Sequence, residues 1–294
     1  MKILLTGASG QVGYELQRSL QALGQVVAVD RARMDLSDLD QVRDVVRAVR
    51  PGLIVNPAAY TAVDKAESEP ALAHRVNAEA PAVMAAEARL LGAAMVHYST
   101  DYVFDGTKQG AYLETDATNP INVYGHSKLA GEQAIAAAGI DYLILRTSWV
   151  YGMRGKNFLQ TMLRLGAERE QLRVVADQIG APTWSRTIAD TTAVLLAQAR
   201  AGRHWWEQHR GIYHLSAQGQ TTWHGFTEAI VARAGLACTV VPISSAEYPT
   251  PARRPSNSVM SSNKLIQTLC AIPDWEQALS LCLDGAPGLQ PAAK

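Results

Sequence analysis

Short apolar runs alternate with longer amphipathic stretches through the first half of the 294-residue chain. Residues 3–5, 26–29, 53–55, 95–98 and 142–145 are brief and dominated by aliphatic side chains, which predicts strands buried on both faces. Between the second and third runs, Leu39, Val42, Val45, Val46 and Val49 recur at helical spacing and share one face. Ser37 and Asp40 have the spacing of a capping box at the start of that helix, and Pro51-Gly52 stops it. Strand, helix and strand in this order predict an α/β fold, a Rossmann-type doubly wound parallel sheet with right-handed crossovers.

The regularity loosens after about residue 150. Gly152, Gly155, Gly180, Pro182 and the proline-rich stretch 249–255 interrupt helical patterns near 157–169, 186–201 and 222–234. This pattern predicts a smaller mixed lobe for substrate. Residues 1–149, with a return segment at about 175–205, are assigned to the dinucleotide-binding domain, and 150–174 with 206–294 to the lobe. Residues 285–294 read as a frayed tail.

Composition removes several functions. Lys plus Arg and Asp plus Glu balance at 27 each, so no overall field favours nucleic acid or an anionic membrane. No apolar stretch approaches the ~18 residues of a membrane span, and the opening apolar run is too short for a secretory signal, so a cytoplasmic protein is expected. Cys238, Cys270 and Cys282 form no C-x-x-C pair, and the seven histidines show no H-x-x-x-H spacing. No metal site is expected from these residues.

The chemistry lies elsewhere. Gly7, Gly10, Gln11, Val12 and Gly13 follow the first strand and open a helix carrying Val12, Leu16, Leu20 and Leu23. Glycines there let the backbone turn tightly against a pyrophosphate, whose charge the free N–H groups and the helix dipole stabilise. Asp30 ends the second strand and suits the adenine ribose hydroxyls of NADH. Arg31 and Arg33 suit the 2′-phosphate of NADPH, so the choice between the cofactors stays open. Asp35 and Leu36 would lie under the adenine.

Tyr124 and Lys128 fall four residues apart on one helical face, where an ammonium is expected to lower the phenol's pKa. Thr100, at the end of the fourth strand, adds a hydroxyl that can bind the same carbonyl oxygen. An oxygen-binding donor, a proton donor and a cation reaching the nicotinamide ribose together predict an NAD(P)H-dependent reductase.

The order Gly7-x-x-Gly10-x-x-Gly13, Ser99-Thr100-Asp101, Tyr124-x-x-x-Lys128 resembles the extended short-chain dehydrogenase/reductase superfamily. The segments 99–106, 56–64, 146–152 and 177–183 resemble, within it, the dTDP-4-dehydrorhamnose reductase family over nearly the whole chain. The resemblance implies reduction of dTDP-4-dehydro-β-L-rhamnose to dTDP-L-rhamnose, a precursor of bacterial surface polysaccharides. It implies that hydride passes to sugar C4 while Tyr124 protonates the alkoxide and Thr100 holds it. Ala59, Tyr60 and Thr61 would line the cofactor, and Thr100, Asp101 and Trp149 the sugar. Asn157 and Arg254 would hold the dTDP end.

Some similar proteins are dimers bridged by magnesium through glutamates. Here Glu15 is present but Arg186 stands where a ligand would, and an arginine cannot coordinate a cation, so Mg2+ is not expected and the chain is a monomer or a homodimer. A dehydratase would carry Asp-Glu after the threonine, whereas this chain has Asp101-Tyr102. An epimerase of the same superfamily and a non-catalytic regulatory homologue are the remaining alternatives.

Overall fold

The computed structural model describes residues 1–284, and the expected frayed tail lies outside the described residues. The central sheet has six strands: β1 (Lys2–Leu5), β2 (Gln25–Ala28), β3 (Leu53–Asn56), β4 (Ala94–Thr100), β5 (Tyr142–Thr147) and β6 (Gly211–His214). They run in the order β2-β1-β3-β4-β5-β6, every pair parallel. The first five match the apolar runs of the sequence. The sixth was not anticipated, because Gly211 and His214 break its hydrophobic pattern. It also moves the expected lobe boundary, since Gly211–His214 pairs with β5 rather than joining the lobe.

Seven helices carry the rest of the argument: α1 (Gln11–Ser19), α2 (Leu39–Val49), α3 (Ala80–Leu91), α4 (Val123–Ala137), α5 (Phe158–Glu168), α6 (Ser185–Ala199) and α7 (Trp223–Arg233). Leu16 and Leu20, in and just after α1, join Leu195 and Leu196 of α6 against one face of the sheet. Val42 and Val46 of α2, Met84 of α3 and Ile135 of α4 cover the other. Helices on both faces make the sheet doubly wound. Val42 and Val46 are fully enclosed, and burying each such side chain contributes roughly 1.5–3 kcal/mol relative to exposure. The cap of α2 is Asp38 rather than Ser37. The Asp38 carboxylate accepts the Gln41 N–H at 3.0 Å, while the Ser37 hydroxyl is committed to Asp35 at 2.8 Å. Arg50 then turns left-handed at φ 49° and Pro51 follows, ending the helix where expected.

The lobe has its own core of Tyr151, Leu159, Phe226, Ile230, Trp275 and Leu279. It is built on α5, α7 and a parallel pair, Gln171–Val175 with Thr239–Ile243. Trp205 and Trp206 pack edge to face within the core of the main sheet. From β1 the chain passes to β2 on one side and later to β3 on the other, so a crevice opens above the carboxyl ends of β1 and β3. No helix among the described residues is long and apolar enough to cross a membrane.

Candidate active site

A cleft of about 700 Å³ lies over those strand ends. Gly7, Gly10, Gln11, Val12 and Gly13 line it, as do Asp35, Leu36, Ala59, Tyr60, Thr61, Tyr124 and Lys128. Gly7 holds φ +56°, a left-handed conformation that costs glycine little, and its carbonyl accepts the Gly10 N–H at 2.9 Å. A Cβ at Gly13 would overlap that same carbonyl, so only glycine lets α1 start so close to the strand. No side chain caps α1, which leaves its first N–H groups free for an anion. The Ser99 and Thr147 hydroxyls are buried without protein partners, and both residues line the cleft. A glycine cradle beneath an uncapped helix, continued by unpartnered hydroxyls, fits a dinucleotide.

Asp30 lies outside this cleft. It lines an adjoining hollow with Arg33, and Ser9 borders both spaces. Arg31, by contrast, lines the cleft itself and pairs with Asp35 at 3.2 Å. The sequence missed Lys65, Glu69, Leu72, Val150 and Lys156, which also line the cleft from segments without a nucleotide motif. Tyr60 donates to Glu69 at 2.8 Å, and Lys65 pairs with the same carboxylate at 2.7 Å.

The reacting end is set by α4. Asn122 caps it, accepting the Gly125 N–H at 2.8 Å, and so fixes Tyr124 and Lys128 one turn apart beside the end of β4. The Lys128 ammonium nitrogen is fully enclosed and donates to the Tyr98 carbonyl at 2.6 Å. Burial pulls its pKa down to about 8, opposed by the charge of Glu132 one turn further on. Glu132 is itself held by Arg146 through a buried two-point ion pair with contacts of 2.9 and 2.6 Å. The Tyr124 phenol is raised above its ordinary range by burial, opposed by the neighbouring Thr100 hydroxyl. The expectation that Lys128 lowers this pKa is corrected here. Desolvation dominates, and the Lys128 amine is directed toward the Tyr98 carbonyl and His97. The phenol is therefore kept protonated, as a proton donor must be.

Thr100 donates to Asp101 at 2.9 Å, and burial pushes the Asp101 carboxyl up to about 6. Tyr102 meets the Tyr124 ring edge-on at 5.6 Å. Arg254 acts on Tyr102 by its charge, pairs with Asp64 at 2.8 Å, and has one guanidinium nitrogen buried without a partner. Arg254 thus stands within electrostatic reach of Tyr102. Thr100, Asp101, Trp149, Asn157 and Arg254 do not line the cleft. Asn157 caps α5, accepting the Gln160 N–H at 3.1 Å and donating to Gln11 and Gly152 at 2.9 and 2.8 Å. Those bonds engage its amide beside the glycine loop. Trp149 stands at φ +48° and stacks on Trp223, centroids 3.6 Å apart, at the junction of sheet and lobe. Arg186 pairs with Glu15 at 3.6 Å and Asp190 at 2.8 Å, and the described residues hold no cluster of three or more potential metal ligands.

A sequence model of the RmlD substrate binding domain matches residues 1–286. A dTDP-4-dehydrorhamnose reductase of Burkholderia thailandensis is 53% identical over 292 residues, spanning 96% of this chain and 98% of that relative. The chain belongs to the dTDP-4-dehydrorhamnose reductase family. The reductase of Escherichia coli strain K12 is 45% identical, covering 97% of both chains. A crystal structure of the Bacillus anthracis reductase in complex with NADP superposes with a TM-score of 0.90 at 38% identity, over 97% of this chain and 99% of that one. Family membership makes this chain an NAD(P)H-dependent oxidoreductase.

Proposed function

We propose that the cleft reduces the 4-keto group of dTDP-4-dehydro-β-L-rhamnose to give dTDP-L-rhamnose, with Tyr124 as the acid. The observation that carries this reading is the protonated Tyr124 phenol beside the Thr100 hydroxyl, one turn from a buried lysine in a cleft shaped for a dinucleotide. When bound, the reduced nicotinamide supplies the hydride. Thr100 turns its hydroxyl hydrogen from Asp101 to the sugar carbonyl oxygen and so polarises it. As C4 gains hydrogen, the oxygen takes up negative charge, and Tyr124 passes its proton to that oxygen. The phenolate left behind has the Lys128 charge one turn away on α4 and regains a proton from solvent. Asp101, Tyr102 and Arg254 supply the wall of the sugar and nucleotide end. Both substrates are water-soluble, which suits work in the cytoplasm.

The test is turnover of the purified protein with dTDP-4-dehydro-β-L-rhamnose and either NADPH or NADH. Stoichiometric cofactor oxidation with formation of dTDP-L-rhamnose is expected. Catalysis without net cofactor consumption would indicate an epimerase, and no oxidation of either cofactor would overturn the assignment.

A further inference from the structure

The wall of the cleft carries more positive than negative charge. Its charged lining consists of Arg31, Asp35, Lys65, Glu69, Lys128 and Lys156. Arg31 pairs with Asp35 at 3.2 Å and Lys65 with Glu69 at 2.7 Å, so these four cancel within the wall. Lys128 is enclosed at the reacting end and turned to the Tyr98 carbonyl and His97. Lys156 is exposed, and no carboxylate among the described residues pairs with it. An ammonium that lines a cleft with no carboxylate beside it is available to an anionic ligand.

The surroundings of Lys156 decide which anion it meets. It lies in the segment 152–157, between Tyr151 and the start of α5, and this segment is laid across the first turn of α1. The Asn157 amide donates to Gln11 Oε1 at 2.9 Å, and a Cβ at Gly155 would touch Gln11 Cγ at 3.7 Å. Arg154 stacks over the Tyr14 ring at 3.9 Å, and Arg18 of α1 reaches the same ring at 3.5 Å. The Tyr14 N–H donates to the Gly10 carbonyl at 2.9 Å, so that ring stands one turn beyond the glycine loop. Gly155, at φ +76°, makes the left-handed turn between the two basic residues. Arg154 is directed onto α1 and does not line the cleft, whereas Gly155 and Lys156 do. The first cation fastens the segment, and the second is left beside the glycine loop.

We propose that Lys156 is the counter-ion of the cofactor's diphosphate, which it meets from the lobe while the glycine loop meets it from the sheet. The inference rests on the reading of the cleft as the dinucleotide site. The uncapped start of α1 offers N–H groups and a partial positive charge, which match only part of a dianion. Lys156 supplies a full unit charge to the remainder. The diphosphate then ties the lobe to the sheet, which a glycine loop alone cannot do. NADH and NADPH carry the same diphosphate, so Lys156 contributes affinity for both without choosing between them.

The sugar nucleotide also carries a diphosphate, and calorimetric titration of the full chain with NADPH, NADH, ADP-ribose and dTDP separates the two sources. Lys156→Ala is expected to weaken NADPH, NADH and ADP-ribose alike by about tenfold at low salt, with dTDP within about twofold of wild type. Lys156→Arg keeps the charge and should stay within about threefold of wild type for every probe. The gap between wild type and the Ala variant should narrow as salt is raised, because the lysine is exposed. Unchanged ADP-ribose affinity in Lys156→Ala would overturn the proposal. A loss confined to NADPH would overturn it by moving the lysine to the 2′-phosphate, and a loss confined to dTDP by moving it to the sugar nucleotide. Wild-type protein that binds none of NADPH, NADH and ADP-ribose would refute the dinucleotide reading of the cleft itself, whereas normal wild-type binding with no effect of the Ala variant refutes Lys156 alone.

Discussion

In the proposed reading, the cofactor end of the cleft uses the glycine loop Gly7 to Gly13, whereas the sugar end draws on side chains of β4 and α4 that line the cleft, with Arg254, paired to Asp64, outside its lining. The first is local: a strand, a turn and a helix start create it wherever that order occurs. The second is assembled by folding, since Arg254 meets Asp64 across 190 positions of sequence. Damage at one end should therefore leave the other working, and four substitutions test that separation.

Tyr124→Phe carries the largest expected effect, a loss of about 10²–10⁴ in kcat with cofactor affinity within about twofold of wild type. A parallel fall in cofactor affinity, seen by fluorescence titration, would break the separation. Gly13→Val comes next. Its Cβ meets the Gly7 carbonyl, so cofactor affinity should fall about 100-fold and stability by ~1–3 kcal/mol in thermal unfolding.

Asp101→Asn acts at the sugar end and through pH. The folded protein raises this carboxyl from 3.8 to about 6, so folding favours its neutral form. The native carboxyl thus contributes nothing unfavourable below pH 3.8, and stability is lost as pH rises toward and through 6. The Asn variant should gain up to about 3 kcal/mol over wild type at pH 7.5 and almost nothing at pH 3.5, measured by denaturant unfolding at both. Equal gains at both pH values would contradict the assignment of burial as the cause. The smallest effect belongs to Arg31→Ala, expected to raise KM for NADPH by about 3–10-fold and KM for NADH by less than about twofold. Equal changes for both cofactors would remove Arg31 from 2′-phosphate recognition.

The same contrast explains what could be read from the sequence. The glycine loop, the first five strands and the Tyr124–Lys128 pair are encoded over short windows, where backbone geometry and helical periodicity leave few alternatives. Arg254 was reached through residue chemistry and resemblance, and its partner Asp64 was not foreseen because nothing local connects them. Asn157 is a related case. An asparagine just before an apolar helical pattern is first a cap, and the cap geometry consumes its amide. Lys156 stands between Gly155 and that cap, and its place acquires meaning only once folding lays the segment beside the glycine loop.

The stacked pair Trp149 and Trp223 has an optical consequence. Two indoles with centroids 3.6 Å apart and planes 8° from parallel couple their electronic transitions. One ring comes from the turn after β5 and the other from the first residue of α7, so the pair straddles sheet and lobe. Their exciton signal in circular dichroism is a label-free gauge of that junction. Any ligand that shifts the lobe by even a fraction of an ångström should change its amplitude, and Trp223→Phe should erase it.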